Sequence, residues 1–197
     1  MAQTTALEQR DTPSRFKFSR VAYEQMTRMG LFEGKRVELI EGEVMEMPPA
    51  TPEHFEVGDT LEEILRAYFG KGYWVRFQGD LVLGDSQPTP DIAVVKGAKR
   101  EYKGRHPDHA VLVAEVAHTS LEYDRTYKQS LYAKAGIPEY WIVNLREQQL
   151  EVYRVPTPRG ELPFGYGYAQ VSILRVGDVV QPLAKPEPGI PVSQILE

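Results

Sequence analysis

Ala110-Val-Leu-Val-Ala-Glu-Val-Ala117 sets one carboxylate inside an otherwise unbroken apolar run. Apolar residues on both faces mark a central strand covered by helices, because a half-exposed strand alternates apolar with polar positions. A carboxylate buried in such a strand is costly unless it is paired or bound to a cation. Upstream, a polar, proline-rich loop over 84–90 delivers the chain through Thr89-Pro90 to Asp91-Ile-Ala-Val-Val95, a second buried strand. Adjacent strands can bring Asp91 and Glu115 within a few ångströms of each other. Two anionic groups so placed repel each other unless a hard cation such as Mg2+ or Mn2+ lies between them. Each also has a plainer reading. Asp91 can serve as a strand-entry residue that satisfies backbone N–H groups, and Glu115 can be half of a buried salt bridge with an arginine or lysine.

Working outward, Ser19 caps a short helix that stops at Gly30. Val37–Ile40 and Glu43–Met47 flank the two-residue turn Glu41-Gly42. Thr51-Pro52 opens a helix predicted over 52–69, with Val57, Leu61, Ile64, Leu65 and Tyr68 at helical spacing and His54 on the apolar side. Strands follow at 73–77 and 81–83. After the 110–117 strand, Thr119 and Glu122 form a capping box for a helix that begins between 120 and 125 and ends at Gly136. Strands at 140–144 and 149–155 come next. Beyond 156, strands near 166–175 read as an added β layer, and a short helix closes the chain at 192–196. This order is that of an α/β fold with a mixed central sheet flanked by helices. Residues 1–18 read as a flexible N-terminal segment and 19–197 as a single domain, its core at about 37–155.

The chain has 197 residues, 42% hydrophobic and 26% charged, and no cysteine, which excludes disulfides, thiolate metal sites and cysteine nucleophiles. No apolar run approaches a membrane span and the N-terminus lacks a signal-peptide core, so a cytoplasmic protein without membrane contact is expected. A net charge of −5 excludes nucleic-acid binding through global charge. The dense basic stretch Lys96, Lys99, Arg100, Lys103 and Arg105 suits a phosphate backbone and equally a solvated loop. Dinucleotide, phosphate-loop, zinc-protease and serine-hydrolase motifs are absent, so no organic cofactor is expected. His106-Pro-Asp-His109 reads as surface.

Pro90-Asp91, then twenty-three residues, then Glu115-Val-Ala117 resembles the PD-(D/E)XK nuclease signature, with alanine where that signature has its lysine. The longer string Glu115-Val-Ala-His-Thr-Ser120, Asp124, Lys128 and Tyr132-Ala-Lys-Ala-Gly-Ile-Pro-Glu-Tyr-Trp-Ile-Val-Asn144 resembles the Uma2 family, also called DUF820. The resemblance runs over about 19–155 and includes Glu38-Leu-Ile-Glu-Gly-Glu43 and His54. It departs from the family's usual Glu-Val-x-Ser-Pro-Ser, and Asn144 stands where an aspartate is common. The resemblance implies a restriction-endonuclease-like fold with extra strands at both ends of the chain. It implies that Asp91, Glu115 and the Val116 carbonyl hold Mg2+ or Mn2+, and that Lys128, carried on the following helix, orients or deprotonates the attacking water. Glu38, His54 and Asp124 become supporting groups. The residues themselves leave open a surface pair between Asp124 and Lys128, a core role for His54 and a solvent-facing Glu38. The function implied is metal-dependent hydrolysis of DNA phosphodiesters by a homodimer. The alternatives are a catalytically silent DNA-binding or assembly module, favoured by Ala117, and a metal-independent glycosidase using Asp91 and Glu115.

Overall fold

The computed structural model describes residues 13–196. Along the chain run α1 (Arg20–Arg28), β1 (Val37–Ile40), β2 (Glu43–Glu46), α2 (Pro52–Phe69), β3 (Tyr73–Phe77), β4 (Ile92–Lys96) and β5 (Leu112–Ala117). Then come α3 (Leu121–Tyr123), a π-helical turn (Asp124–Lys128), α4 (Gln129–Lys134), β6 (Glu139–Asn144), β7 (Gln149–Pro158), β8 (Tyr166–Leu174), β9 (Val179–Val180), β10 (Ile190–Pro191) and α5 (Ser193–Leu196). Six strands make the central sheet in the order β3-β4-β5-β6-β7-β8. Only β5 and β6 run parallel, joined by the α3–α4 crossover, and the other neighbours are antiparallel. The result is the mixed central sheet flanked by helices that the sequence predicts.

The doubly apolar strands supply two core layers. Ala93, Val95, Val113 and Ile142 face α4 with Tyr132, while Ile92, Val94, Leu112, Ala114 and Val143 face α2 with Leu61 and Leu65. Alternation along each strand sends successive residues to opposite layers. Local signals act as read: Ser19 Oγ accepts from Ala22 N–H at 3.2 Å and Thr51 Oγ1 from His54 N–H at 3.2 Å. Glu41 and Gly42 both take positive φ, 49° and 82°, as a tight hairpin turn with the strands' own twist requires. Gly42 also lies under the incoming chain, where Phe18 N–H donates to its carbonyl at 2.8 Å.

Two expectations about strands fail. The predicted strand at 81–83 is a bridged turn: Leu83 and Ser86 exchange backbone hydrogen bonds, and Leu81 and Val82 donate to Pro88 and Pro107 carbonyls. The added β layer after 156 is instead the outermost strand of the central sheet, because the ten-residue β7 continues as a hairpin into β8; past β8, β9 and β10 form a separate two-stranded sheet, as β1 and β2 do near the start of the described residues. Of the N-terminal segment expected to be flexible, 1–12 lie outside the described residues. Among the described residues no helix is long and apolar enough to cross a membrane.

Candidate active site

Asp91 immediately precedes β4, and Glu115 and Val116 lie near the end of antiparallel β5, so all three meet at one end of the sheet. Asp91 Oδ2 accepts from Val116 N–H at 2.9 Å, and Glu115 Oε2 accepts from Asp91 N–H at 3.0 Å. Asp91 Oδ1 lies 2.8 Å from His54 Nε2, and a carboxylate only accepts, so Nε2 carries the proton. Glu115 Oε1 accepts from the Tyr132 hydroxyl at 2.6 Å and lies 3.2 Å from Lys128 Nζ. Lys128 donates to both oxygens of Glu38, at 2.7 and 3.0 Å. Asp124 Oδ2 accepts from the Ser120 hydroxyl at 2.6 Å. Glu38, Asp91, Glu115, Asp124 and Lys128 are each no more than 5% exposed, yet all five line a cleft of about 340 Å3.

The helix after β5 delivers Lys128. The capping box expected from Thr119 and Glu122 does not form: Ser120 occupies the cap position without a side-chain cap bond and gives its hydroxyl to Asp124. The following turn widens to a π-helix, with Gln129 N–H reaching the Asp124 carbonyl, a geometry found often at functional sites. Asp124 and Lys128 thus point inward without pairing on the surface.

Four buried carboxylates converge on one ammonium and one imidazole. Burial pushes Glu115 up to about 7, opposed by Lys128 and reinforced by Asp91 and Glu38. Burial and the Glu115 charge likewise raise Asp124 well above the ordinary range. For Asp91 burial acts in the same sense, but the His54 hydrogen bond and charge, the Val116 N–H and Lys128 outweigh it and hold the carboxyl below its usual value. Burial disfavours the Lys128 ammonium, yet Glu115 and Glu38 overcome this and hold the lysine charged. His54 is raised in the same way, the bond to Asp91 outweighing burial.

The family model of Uma2, described as "Putative restriction endonuclease", matches residues 21–193. The chain belongs to the Uma2 family. The match extends through β7 and β8, beyond the core read from sequence. The crystal structure of "a putative nuclease belonging to DUF820" from Anabaena variabilis aligns with a TM-score of 0.64, covering 82% of this chain and 90% of that one at 16% identity. At that identity the likeness is one of fold, and it shows the restriction-endonuclease-like architecture. No curated protein matches the chain.

In this Uma2 chain no three His, Asp or Glu side chains among the described residues converge as metal ligands. The donor set to test is therefore two carboxylates and a carbonyl. Ala117 C=O faces β6, where it accepts from Leu145 N–H. Alternation turns the Val116 N–H and C=O to the opposite edge, past the last β4–β5 pair at Ile92↔Ala114, where the N–H already meets Asp91. Two carboxylates and a free-facing carbonyl are hard oxygen donors, and they fit a small divalent cation that keeps waters or phosphate oxygens in its other positions.

The structure thus brings Asp91, Glu115, Val116, Lys128, Glu38, His54 and Asp124 together. The surface pair of Asp124 with Lys128 and the solvent-facing Glu38 are replaced by buried contacts. The basic stretch does not join them. Because β4 and β5 are antiparallel, the loop between them leaves from the sheet end opposite Asp91, and none of Lys96, Lys99, Arg100, Lys103 and Arg105 lines the cleft. Arg105 stacks on Tyr102, 4.8 Å from its ring centre. Sequence reasoning quoted Tyr132 and His118 within the family-like string without giving either a role, and it missed the cleft-lining Arg36 and Tyr123, which no local pattern singles out.

Proposed function

We propose that this Uma2 protein is a nuclease that hydrolyses DNA phosphodiesters with Mg2+ or Mn2+. The observation that carries this reading is Lys128: a buried ammonium, clasped by Glu38, standing 3.2 Å from Glu115 although the strand position 117 holds alanine. Asp91, Glu115 and the Val116 carbonyl would hold the cation, which supplies Lewis-acid polarisation of the phosphate and a more acidic bound water. His54 fixes the Asp91 carboxylate by donating to Oδ1, and Asp91 in turn accepts from Val116 N–H, so the donor atoms are oriented before substrate arrives. Tyr132 does the same for Glu115 Oε1. Lys128 presents donors and a positive charge where the attacked phosphate gathers negative charge. Glu38 keeps that ammonium in place and charged, which supports the orienting half of the expected lysine role and not proton abstraction. A second copy would serve the opposite strand of a duplex.

The test is cleavage of plasmid and single-stranded DNA with Mg2+ or Mn2+. The reading predicts cutting that chelator abolishes and that Asp91→Ala and Glu115→Ala each lose. Folded wild type that leaves every DNA intact would shift the reading to the silent binding module, and cutting unaffected by chelator would overturn the metal requirement.

A further inference from the structure

A second cavity of about 480 Å3 adjoins the active-site cleft, and the two share Arg36, Glu38, Met47 and Thr89 in their walls. Phe32 lines its far side, braced by Tyr23 with ring centres 5.8 Å apart. Gln78 lines the near side. Its backbone N–H donates to the Asp91 carbonyl at 2.8 Å, and its φ of 44° is in the left-handed region that a residue with a side chain rarely adopts. Strain of this kind persists where surrounding structure enforces it, and it clusters at ligand sites. The Gln78 carboxamide nitrogen is buried and has no hydrogen-bond partner among the described residues. Buried donors in folded proteins nearly always have acceptors, so this orphan, on a residue that lines the cavity, calls for an acceptor that a ligand supplies once the amide turns to meet it.

The charges divide the ligand. Glu33 and Asp80 line this cavity and repel a phosphate, Lys35 in the same wall is already paired with Glu46 at 2.9 Å, and exposed Arg36 sits where the two cavities meet. An uncharged flat ring with an acceptor edge, joined to a phosphate, satisfies all of these at once. We propose that the second cavity is the subsite for the nucleotide adjoining the scissile phosphodiester, with its base against Phe32, a base acceptor atom on the Gln78 amide and its outer phosphate at Arg36. This rests on the nuclease reading above. Every base offers a ring nitrogen or carbonyl acceptor, so the subsite senses the presence of a base rather than its identity.

Calorimetric titration with thymidine 3′,5′-bisphosphate and with the baseless deoxyribose 3′,5′-bisphosphate, both in Ca2+, tests the subsite directly. Wild type should prefer the nucleotide by about tenfold, the scale of one hydrogen bond plus a ring contact. Gln78→Leu and Phe32→Ala, each checked for native melting, should bring the nucleotide towards the baseless ligand, and Arg36→Gln should weaken both alike. Equal binding of the two by wild type, binding of neither, or a preference that survives in both cavity variants overturns the proposal. A cleaving enzyme without base preference would lose the subsite alone. Base preference in a protein that cuts no DNA would keep the subsite and remove the hydrolase.

Discussion

Lys128 and Glu38 form a buried pair on which stability and the proposed function both bear. Their contact is fully desolvated, so removing one partner strands the other charge. Lys128→Met is expected to cost about 3–5 kcal/mol in urea unfolding, and pairing it with Glu38→Leu should recover most of that loss. Were the double variant no more stable than the single, the stranded charge would not be the cause. The pair was only half legible in the sequence. Lys128 stands four residues after Asp124, a spacing that equally describes a solvated surface pair. Its true partner, Glu38, lies ninety positions away on another element, and no local pattern reports such a contact. Glu115 was the reverse case, because a carboxylate in an apolar strand announces its own need for partners.

At the scale of elements, capping decides where a cleft-lining side chain is held. Thr51 accepts from the backbone N–H of His54 itself, so Thr51→Ala should destabilise the protein by about 1 kcal/mol and loosen the His54–Asp91 bond. Thermal melting checks the first effect, and the imidazole chemical shift of His54 checks the second. Helix α2 was readable end to end because its cap, its proline and its periodicity are all local. The strand misread at 81–83 failed because Leu81 and Leu83 are buried as a strand's residues are, while their backbone groups find partners in loops. On β7, Glu151 accepts from Arg125 of the π-helical turn, from Asn144 on β6 and from Tyr153. Burial alone would raise its pKa, but these donors, Arg125 first, hold it below the ordinary 4.5. A carboxyl whose folded pKa is depressed contributes stability that is complete above the unfolded value and disappears as pH falls through the folded one. The melting difference between wild type and Glu151→Gln should therefore be greatest near neutrality and shrink below about pH 4.5; a difference constant with pH would contradict this.

Across the whole molecule, sheet order sets what surrounds the site. The central pair β4 and β5 was legible because both strands are apolar on both faces, but strand order and the placing of β8 depend on pairings between distant residues. The same topology removes the basic loop from the cleft. Neutralising Lys99, Arg100 and Lys103 together should leave the cleavage rate unchanged, whereas a large loss would show that DNA wraps to that end of the sheet. On the proposed reading, the excess of buried carboxylates would make the folded state the one that binds a cation. Mn2+ at a hundredfold over its dissociation constant should stabilise wild type by about 2.7 kcal/mol, and Asp91→Asn should abolish most of that gain. The most direct measurement is single-turnover cleavage of DNA by Lys128→Met with Mn2+ binding followed on the same sample. The account predicts retained Mn2+ affinity with a rate about 100-fold or more below wild type. Cleavage at the wild-type rate by a folded Lys128→Met protein would contradict it.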